Sequence, residues 1–350
     1  MTRIREATRS DNEGLLSLTA STPMDGRISI RTDRYPDFFR LLDRRGSSRV
    51  LVAEEAGAIV GCVSAARVPV HVDGRLDSVH YLGDLKVHPG LRGAGLAASL
   101  LKAMHHDLRE AGADLVLSTA ACGNDRVRPF FDGPGGLPRA VPAGVFRVYQ
   151  ILPSRRRRVA VPYAIQEEPE TPEISGFYND RFRHYQFGPF FGPGALRGAR
   201  TWTARSNGEI EAALSLVDYG DARQNVIIRL PFVLGGLVSF LQIVRRFAPV
   251  PDIPAKNTPI RMLYIKALAF RDGHEEALAC LVEEARRLAF DSRYHFLAVG
   301  LHESDPLLLR LARLPKFTFK SMLFIVGLKR GNDELMRLTR RVPYEDYSLV

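Results

Sequence analysis

Three cysteines, Cys62, Cys122 and Cys280, are all that the 350 residues contain. So few, spaced so widely, exclude both a disulfide framework and a zinc knuckle. Long apolar runs are missing as well. A membrane span needs about 18 apolar residues, and the best stretch, Leu230–Val244, is broken by Pro231, Gly235-Gly236 and Gln242 before Arg245-Arg246 ends it. Met1–Glu6 has no apolar core of the kind a secretory signal carries. The nine histidines show no H-x-x-x-H or comparable spacing, so no metal is expected. These absences predict a cytosolic (cytoplasmic) protein with no membrane partner.

Lysine is scarce too. Lys86, Lys102, Lys256, Lys266, Lys316, Lys320 and Lys329 are the only seven, and arginine supplies the other 42 basic residues. A formal net charge of +10 would suit a polyanionic partner, but so strong an arginine bias is what GC-rich codons produce without functional selection. The one dense cluster, Arg155–Arg158, is followed by Glu167, Glu168 and Glu170 and reads as a solvated linker. No nucleic acid is expected as a partner. What is plentiful is ordinary: 45% hydrophobic and 25% charged residues are the proportions of a soluble globular protein. Single cores stop growing beyond roughly 250–300 residues, so this length predicts two domains.

The first 150 residues alternate short elements. A strand is expected over Arg3–Ala7, a helix capped by Ser10 or Asp11 and running over Leu15, Leu16 and Leu18, and a second helical stretch over Pro36–Arg45. Arg49–Glu54 and Ala58–Val68 read as strands about Glu55-Ala56-Gly57, and Asp73-Gly74 turns the chain into a strand over Ser78–Val87. A helix over Gly93–Ala111 is stopped by Gly112, and a buried strand over Leu115–Ala120, a short helix over Arg126–Phe131 and a strand over Val145–Ile151 complete the set. Residues 152–172, with four prolines, read as a linker. A similar order then recurs: helix Ile174–Phe187, strands Ala199–Ala204, Ile210–Val217 and Asn225–Arg229, an inserted helix Phe232–Phe247, strand Arg261–Phe270, helix His274–Phe290, strand Phe296–Leu301, short helix Pro306–Leu314 and strand Phe317–Leu328. The expected domains are 1–151 and 173–330, with a polar tail at 331–350 that forms an extra helix or a packing arm.

The strongest chemical signal is His88-Pro89-Gly90-Leu91-Arg92-Gly93-Ala94-Gly95-Leu96-Ala97-Ala98, between a strand and a long helix. Glycines at a helix start let main-chain N–H groups approach a ligand, and the helix dipole favours an anion there. Gly93–Ala98 also matches the dinucleotide fingerprint G-x-G-x-x-[GA]. Its context differs, because five residues separate Val87 from Gly93 and the preceding strands form hairpins, not βαβ units.

Val87-His88-Pro89-Gly90-Leu91-Arg92-Gly93-Ala94-Gly95 resembles the acyl-CoA loop of the GCN5-related N-acetyltransferase (GNAT) family, commonly V-x-P-x-x-R-G-x-G before a Leu-rich helix. Asn124, Phe130-Phe131 and Gly135-Gly136 are similar to the family's downstream Asn, aromatic pair and Gly. The resemblance covers roughly residues 1–150. It implies an α/β (mixed-sheet α+β) protein built of two tandem acyl-CoA N-acyltransferase domains, since the second half looks like a degenerate copy. The copy's loop, Phe270–Glu276, has one glycine, with acidic residues where a pyrophosphate would sit. Gly194–Ala199 imitates the first loop in spelling but precedes a strand, and reads as an ordinary loop.

The implied co-substrate is acetyl-CoA, and the implied partner is an amine acceptor, a small molecule or a peptide; a homo-oligomer is left open. Leu85, Lys86, Val87, Arg92, Gly93, Ala94, Gly95, Leu96, Asn124 and Phe131 would contact the co-substrate, and Asp84 would be the catalytic carboxylate, as a base or as a charge partner. Two positions depart from the family pattern. Gly90 replaces its leading Gln/Arg, and Phe131 stands where many members have a Tyr that protonates the departing thiolate. Tyr81 and Tyr149 are candidates to replace that acid, His88 is a candidate proton carrier, and Cys122 reads as a small buried residue before it reads as a nucleophile. Two rivals stand beside the acetyltransferase: a non-catalytic acyl-CoA sensor, and a tandem-fold aminoacyl transferase that the intact Arg92–Gly95 argues against.

Overall fold

The computed structural model describes residues 2–23, 29–124, 127–155, 161–229 and 251–350. The inserted helix expected over Phe232–Phe247, most of the Arg155–Arg158 cluster and the start of the short helix at Arg126 lie outside the described residues. In the first half the chain forms β1 (Arg3–Glu6), α1 (Asn12–Ala20), β2 (Ser29–Asp33), α2 (Arg40–Arg45), β3 (Ser47–Glu55), β4 (Ala58–Val72), β5 (Arg75–Val87), α3 (Leu96–Glu110), β6 (Leu115–Ala121), α4 (Arg128–Phe131) and β7 (Ala140–Ile151). The second half adds β8 (Ala164–Glu168), α5 (Pro172–Phe182), β9 (Gly188–Pro189), β10 (Arg200–Ser206), β11 (Glu209–Val217), β12 (Gln224–Arg229), β13 (Pro259–Ile260) and β14 (Met262–Phe270). It ends with α6 (Glu275–Asp291), β15 (Phe296–His302), α7 (Leu307–Leu311), β16 (Lys316–Gly327) and α8 (Asn332–Leu338).

Local chemistry sets the entry into α1. The Thr8 N–H donates to Asp11 Oδ2 at 2.7 Å, and the Arg5 guanidinium grips both Asp11 oxygens at 2.8 Å. That fork holds the Asp11 carboxyl well below its usual range and ties β1 to the helix start. In β3 the side chains alternate with period two. Val50 and Val52 pack with Leu15, Leu18, Phe38 and Leu42 on the α1–α2 face, whereas Leu51 and Ala53 pack with Leu100, Leu101, Met104 and Leu108 under α3. The second half repeats this plan, with α6 (Leu278, Leu281, Ala285) on one face of its strands and α5 (Ile174, Tyr178, Phe182) on the other.

One large sheet runs through both halves in the order β1-β3-β4-β5-β6-β16-β7-β15-β14-β11-β10-β8. All of these pairs are antiparallel except β5–β6 and β14–β15. The order is a palindrome in fold terms, because each half contributes six strands and the halves exchange their last ones. β16, from the end of the chain, pairs with β6 from Leu115 to Ala121, while β7 pairs with β15 from Phe146 to Ile151. β16 and β7 then pair with each other along nearly their whole lengths. A smaller sheet, β13-β12-β2, joins the halves again through Asp33↔Gln224 and Arg31↔Val226.

The structure departs from the sequence expectations where distant partners intervene. The helix expected over Pro36–Arg45 begins only at Arg40, because the Asn12 side chain holds the Pro36 carbonyl and the Phe38 N–H in a turn. The helix expected to reach Phe187 ends at Phe182, and Phe187 N–H instead donates to the His71 carbonyl at 2.8 Å. Ala164–Glu168, inside the stretch read as a linker, is an edge strand whose Glu168 is held by Arg205. The tail is both helix and arm: α8 is followed by a packed stretch in which Glu345, Tyr347 and Ser348 are buried.

Candidate active site

β5 and β6 are parallel neighbours at only two positions, His80↔Val116 and Tyr81↔Leu117. Beyond them β5 continues to Val87 and β6 to Ala121 with no further pairing between the two. The strands therefore part like the arms of a V, and each shows an unpaired edge to the gap. A β-bulge drives β5 outward. The register with β4 steps from Cys62↔Lys86 to Ser64↔Gly83, so Asp84 and Leu85 together oppose Val63. Asp84 takes a φ of +50° there, in the left-handed region that non-glycine residues seldom enter.

The Asp84 carboxylate is fixed by two donors on one oxygen. Arg34 Nη2 donates to Oδ2 at 2.6 Å and Ser64 Oγ at 2.9 Å. Burial alone would raise its pKa, but the charges of Arg34 and Lys86 and these hydrogen bonds outweigh burial and hold it below the ordinary value. The Arg34 side chain is only 4% exposed. Removing one member of a buried pair leaves a lone charge, at a cost of roughly 3–5 kcal/mol. Arg34→Met is therefore expected to lose about 3 kcal/mol in a urea titration. Arg9→Met, which breaks the exposed Arg9–Asp43 pair, is expected to lose less than about 1 kcal/mol.

At the open end of the V the glycine loop leads into α3. Gly93 (φ +87°) and Gly95 (φ +75°) both lie in the left-handed region, and Gly95 is the N-cap of α3. A Cβ on either would meet nothing within 4 Å, so main-chain conformation and the open space above it, not packing, account for these glycines. No acidic residue sits in the first turn of α3, and its leading N–H groups are free to receive an anion. Arg92 and Ala94 are exposed on the loop. Thr2, Ile4, Leu91, Ala94, Leu96 and Ser99 line a pocket of about 260 Å³ beside it. A larger groove of about 540 Å³ near Thr8, Arg9, Asp43 and Arg49 lies away from the V. Its charges are matched in the Arg9–Asp43 and Arg49–Asp107 pairs.

The other expected residues surround the same opening. Leu85, Val87 and Leu96 turn their side chains into the core under α3, leaving their main chain for a ligand, and Lys86 is half-buried beside Asp84. Asn124 is exposed just past the end of β6. Phe131 is stacked face to face on Phe324 of β16, with 3.6 Å between ring centres. Of the considered proton carriers, His88 is exposed and accepts from the Gly90 N–H, and Cys122, read as buried, is exposed at the end of β6. Tyr149 packs in the core of the second half, with Lys316 Nζ 4.7 Å over its ring.

Sequence reasoning missed a buried polar band on the face turned away from α3. The Tyr81 hydroxyl lies 2.6 Å from Thr119 Oγ1, the Arg45 guanidinium covers the Tyr81 ring at 3.5 Å, and Arg45 Nη1 donates to Glu345 Oε1 at 3.1 Å. Burial pushes the Glu345 carboxyl up to about 7 against the pull of Arg45. Arg45 and Glu345 are 300 residues apart, and no local pattern announces their meeting.

The second half has a matching V with different contents. β14 and β15 pair only from Met262↔Phe296 to Tyr264↔Ala298, and a bulge at Lys266 interrupts the β11–β14 register. Here the protein fills its own gap. The Tyr344 hydroxyl donates to the Lys266 carbonyl at 3.0 Å, Tyr185 packs against Tyr344, and Lys266 Nζ faces Asp346. Glu275 and Glu276 occupy the first turn of α6, where they oppose any bound anion.

Residues 3–123 match the family model described as an acetyltransferase (GNAT) domain. Among solved structures, the chain is similar to N-myristoyltransferase from Saccharomyces cerevisiae with bound myristoyl-CoA, with a TM-score of 0.62 and 13% identity, over 93% of this chain and 82% of that one. A probable N-acyltransferase from Enterococcus faecalis follows the same fold, with a TM-score of 0.52 and 13% identity over 94% of this chain and 74% of that one. So does a GCN5-related N-acetyltransferase from Anabaena variabilis, with a TM-score of 0.52 and 10% identity over 92% and 72%. No curated protein matches the chain in sequence. With its cradle at α3, its parted strands and the same plan repeated and plugged in the second half, the chain has a tandem GNAT-like fold, and the match to the GNAT domain lies in its first half.

Proposed function

We propose that the first half binds acetyl-CoA and transfers the acetyl group to an amine, on a small molecule or a peptide. The observation that carries this reading is the alignment of three features at one opening: the glycine cradle of α3, the unpaired edges of β5 and β6, and the bulge at Asp84. A pyrophosphate would lie on the N–H groups that follow Gly93 and Gly95. The amide-bearing arm of CoA suits the free edge of β5, as an added strand would. Main-chain N–H groups near Leu85 would take the thioester carbonyl oxygen, on which negative charge builds as the amine attacks.

Asp84 fits the part of charge partner better than that of a strong base. Its carboxylate stays ionised and has Oδ2 committed to Arg34 and Ser64, so it would draw the acceptor's ammonium into the opening and leave a water to remove the proton. Phe131, Phe324, Leu82, Leu137 and Ala140 fill one packed cluster beside the gap, which favours a short acyl group. The yeast relative binds myristoyl-CoA, so calorimetry should be run with both thioesters. Acetyl-CoA is expected to bind more tightly than myristoyl-CoA, and thiol release is expected with at least one member of an amine panel. Asp84→Asn should lower kcat/KM about 100-fold and leave acetyl-CoA affinity within threefold. No binding of either thioester would overturn the reading. Binding without turnover on any amine would favour the acyl-CoA sensor, the reading that Phe131 supports.

A further inference from the structure

Transfer of an acyl group from a thioester releases a thiolate, and the ring at position 131 has no proton to give. Phe131 is also locked flat against Phe324, so no small movement brings a donor from that side. The opposite wall of the gap does offer one. Tyr81 is the last β5 residue still paired to β6, opposite Leu117. Its hydroxyl reaches across to Thr119, which lies two residues further along β6, where the strands have already parted. The phenol therefore stands at the floor of the V, one short stretch of strand from the bulge at Asp84 and Leu85.

Building on the transferase reading above, we propose that Tyr81 is the acid that protonates the departing CoA thiolate, and that Arg45 and Glu345 are its positioning residues. In the transfer, the amine nitrogen forms a bond to the acyl carbon as the carbon–sulfur bond breaks. The Tyr81 O–H bond breaks as the S–H bond forms. The proton that the amine loses to water returns to the phenolate oxygen by way of the Thr119 hydroxyl, so no other reactant is consumed.

The surroundings suit that part. Burial pushes the phenol's pKa up to about 12 and keeps its proton in place before the reaction, while Arg45 pulls the other way and eases its release. The guanidinium stacked on the ring stabilises the phenolate as charge develops on it. Arg45 ends α2 and is buried; Glu345, delivered from the C-terminal stretch, pairs with it and helps to hold it over the ring. The tail thus contributes to a site built by the opposite end of the chain.

The test compares full-length wild type, Tyr81→Phe, Arg45→Met and a protein carrying 3,5-difluorotyrosine at position 81, each with acetyl-CoA and the best amine of the panel. Tyr81→Phe is expected to lose about 100-fold in kcat with the acetyl-CoA dissociation constant unchanged within threefold. Arg45→Met is expected to lose about tenfold, and Arg45→Lys to recover part of that loss. Fluorination changes the acidity of the phenol and scarcely its shape. A kcat that moves with fluorination supports proton transfer, and a kcat identical to wild type overturns it even if Tyr81→Phe fails to fold. Wild-type turnover with Tyr81→Phe within threefold of it overturns the role of Tyr81 alone. Failure of the wild type to bind acetyl-CoA overturns the transferase reading and this role together.

Discussion

Gly95→Val abolishes measurable acetyl-CoA binding, at least a 100-fold loss by calorimetry, while the protein remains folded. Two effects add. Gly95 sits at φ +75°, where an L-residue costs about 1–2 kcal/mol and a β-branched one more, so the variant relaxes by turning the loop N–H groups out of line. The new side chain also points into space that holds no protein atom within 4 Å but is needed by a bound pyrophosphate. Gly112, at φ +81° and likewise without neighbours, is the matched control just past the far end of α3. Gly112→Val should show a similar stability loss and bind acetyl-CoA normally. Equal loss of binding in both variants would show that the cradle is not where the ligand sits.

Residues 1–151 expressed alone do not form a cooperatively folded domain. In the full chain β6 has β16 along its whole length, and β7 lies between β16 and β15. Cutting after Ile151 strips away Leu323 and Ile325, both 0% exposed, and Phe324 and Val326 with them. Leu115, Leu117, Val141 and Phe146 lose their packing against these residues and against Phe187, Leu335, Leu338 and Tyr347. Each large core side chain lost costs about 2–5 kcal/mol, so four together match or exceed the 5–15 kcal/mol that holds a whole domain. The fragment is expected to aggregate in size-exclusion chromatography and to show no melting transition. Co-expression with residues 161–350 should restore a soluble 1:1 complex through the exchanged strands. A monomeric, melting, acetyl-CoA-binding 1–151 fragment would refute this.

Much of this plan is legible in single-sequence chemistry, and the gaps have physical causes. The glycine loop and the Leu-rich helix after it announce themselves because glycine takes left-handed turns without steric cost and that apolar spacing is helical. The acidic residues at the start of α6 are legible in the same way, and their charge opposes an anion at that helix end. The apolar stretch Met322–Val326 marks the later part of β16 as core, but nothing in Phe317–Leu328 says that its neighbours come from the other half. β8 is missed because Glu167 and Glu168 look like solvent-facing linker, and it is arginines 200 and 205 on β10 that make them edge-strand residues. At the site, the resemblance singles out Asp84, and the chain carries it on β5 just before the glycine loop. The partner that decides its protonation, Arg34, is 50 residues away, beyond any periodicity.

The palindromic strand order has one more consequence. Two separate copies of a single half, each handing its last strand to the other, would build this same sheet as a symmetric dimer. In such a dimer every substitution is made twice, so neither cradle could be spoiled while the other was kept. In one chain the two halves are free to differ, and Glu275, Glu276, Tyr185 and Tyr344 stand at the second opening where the first has its glycine loop.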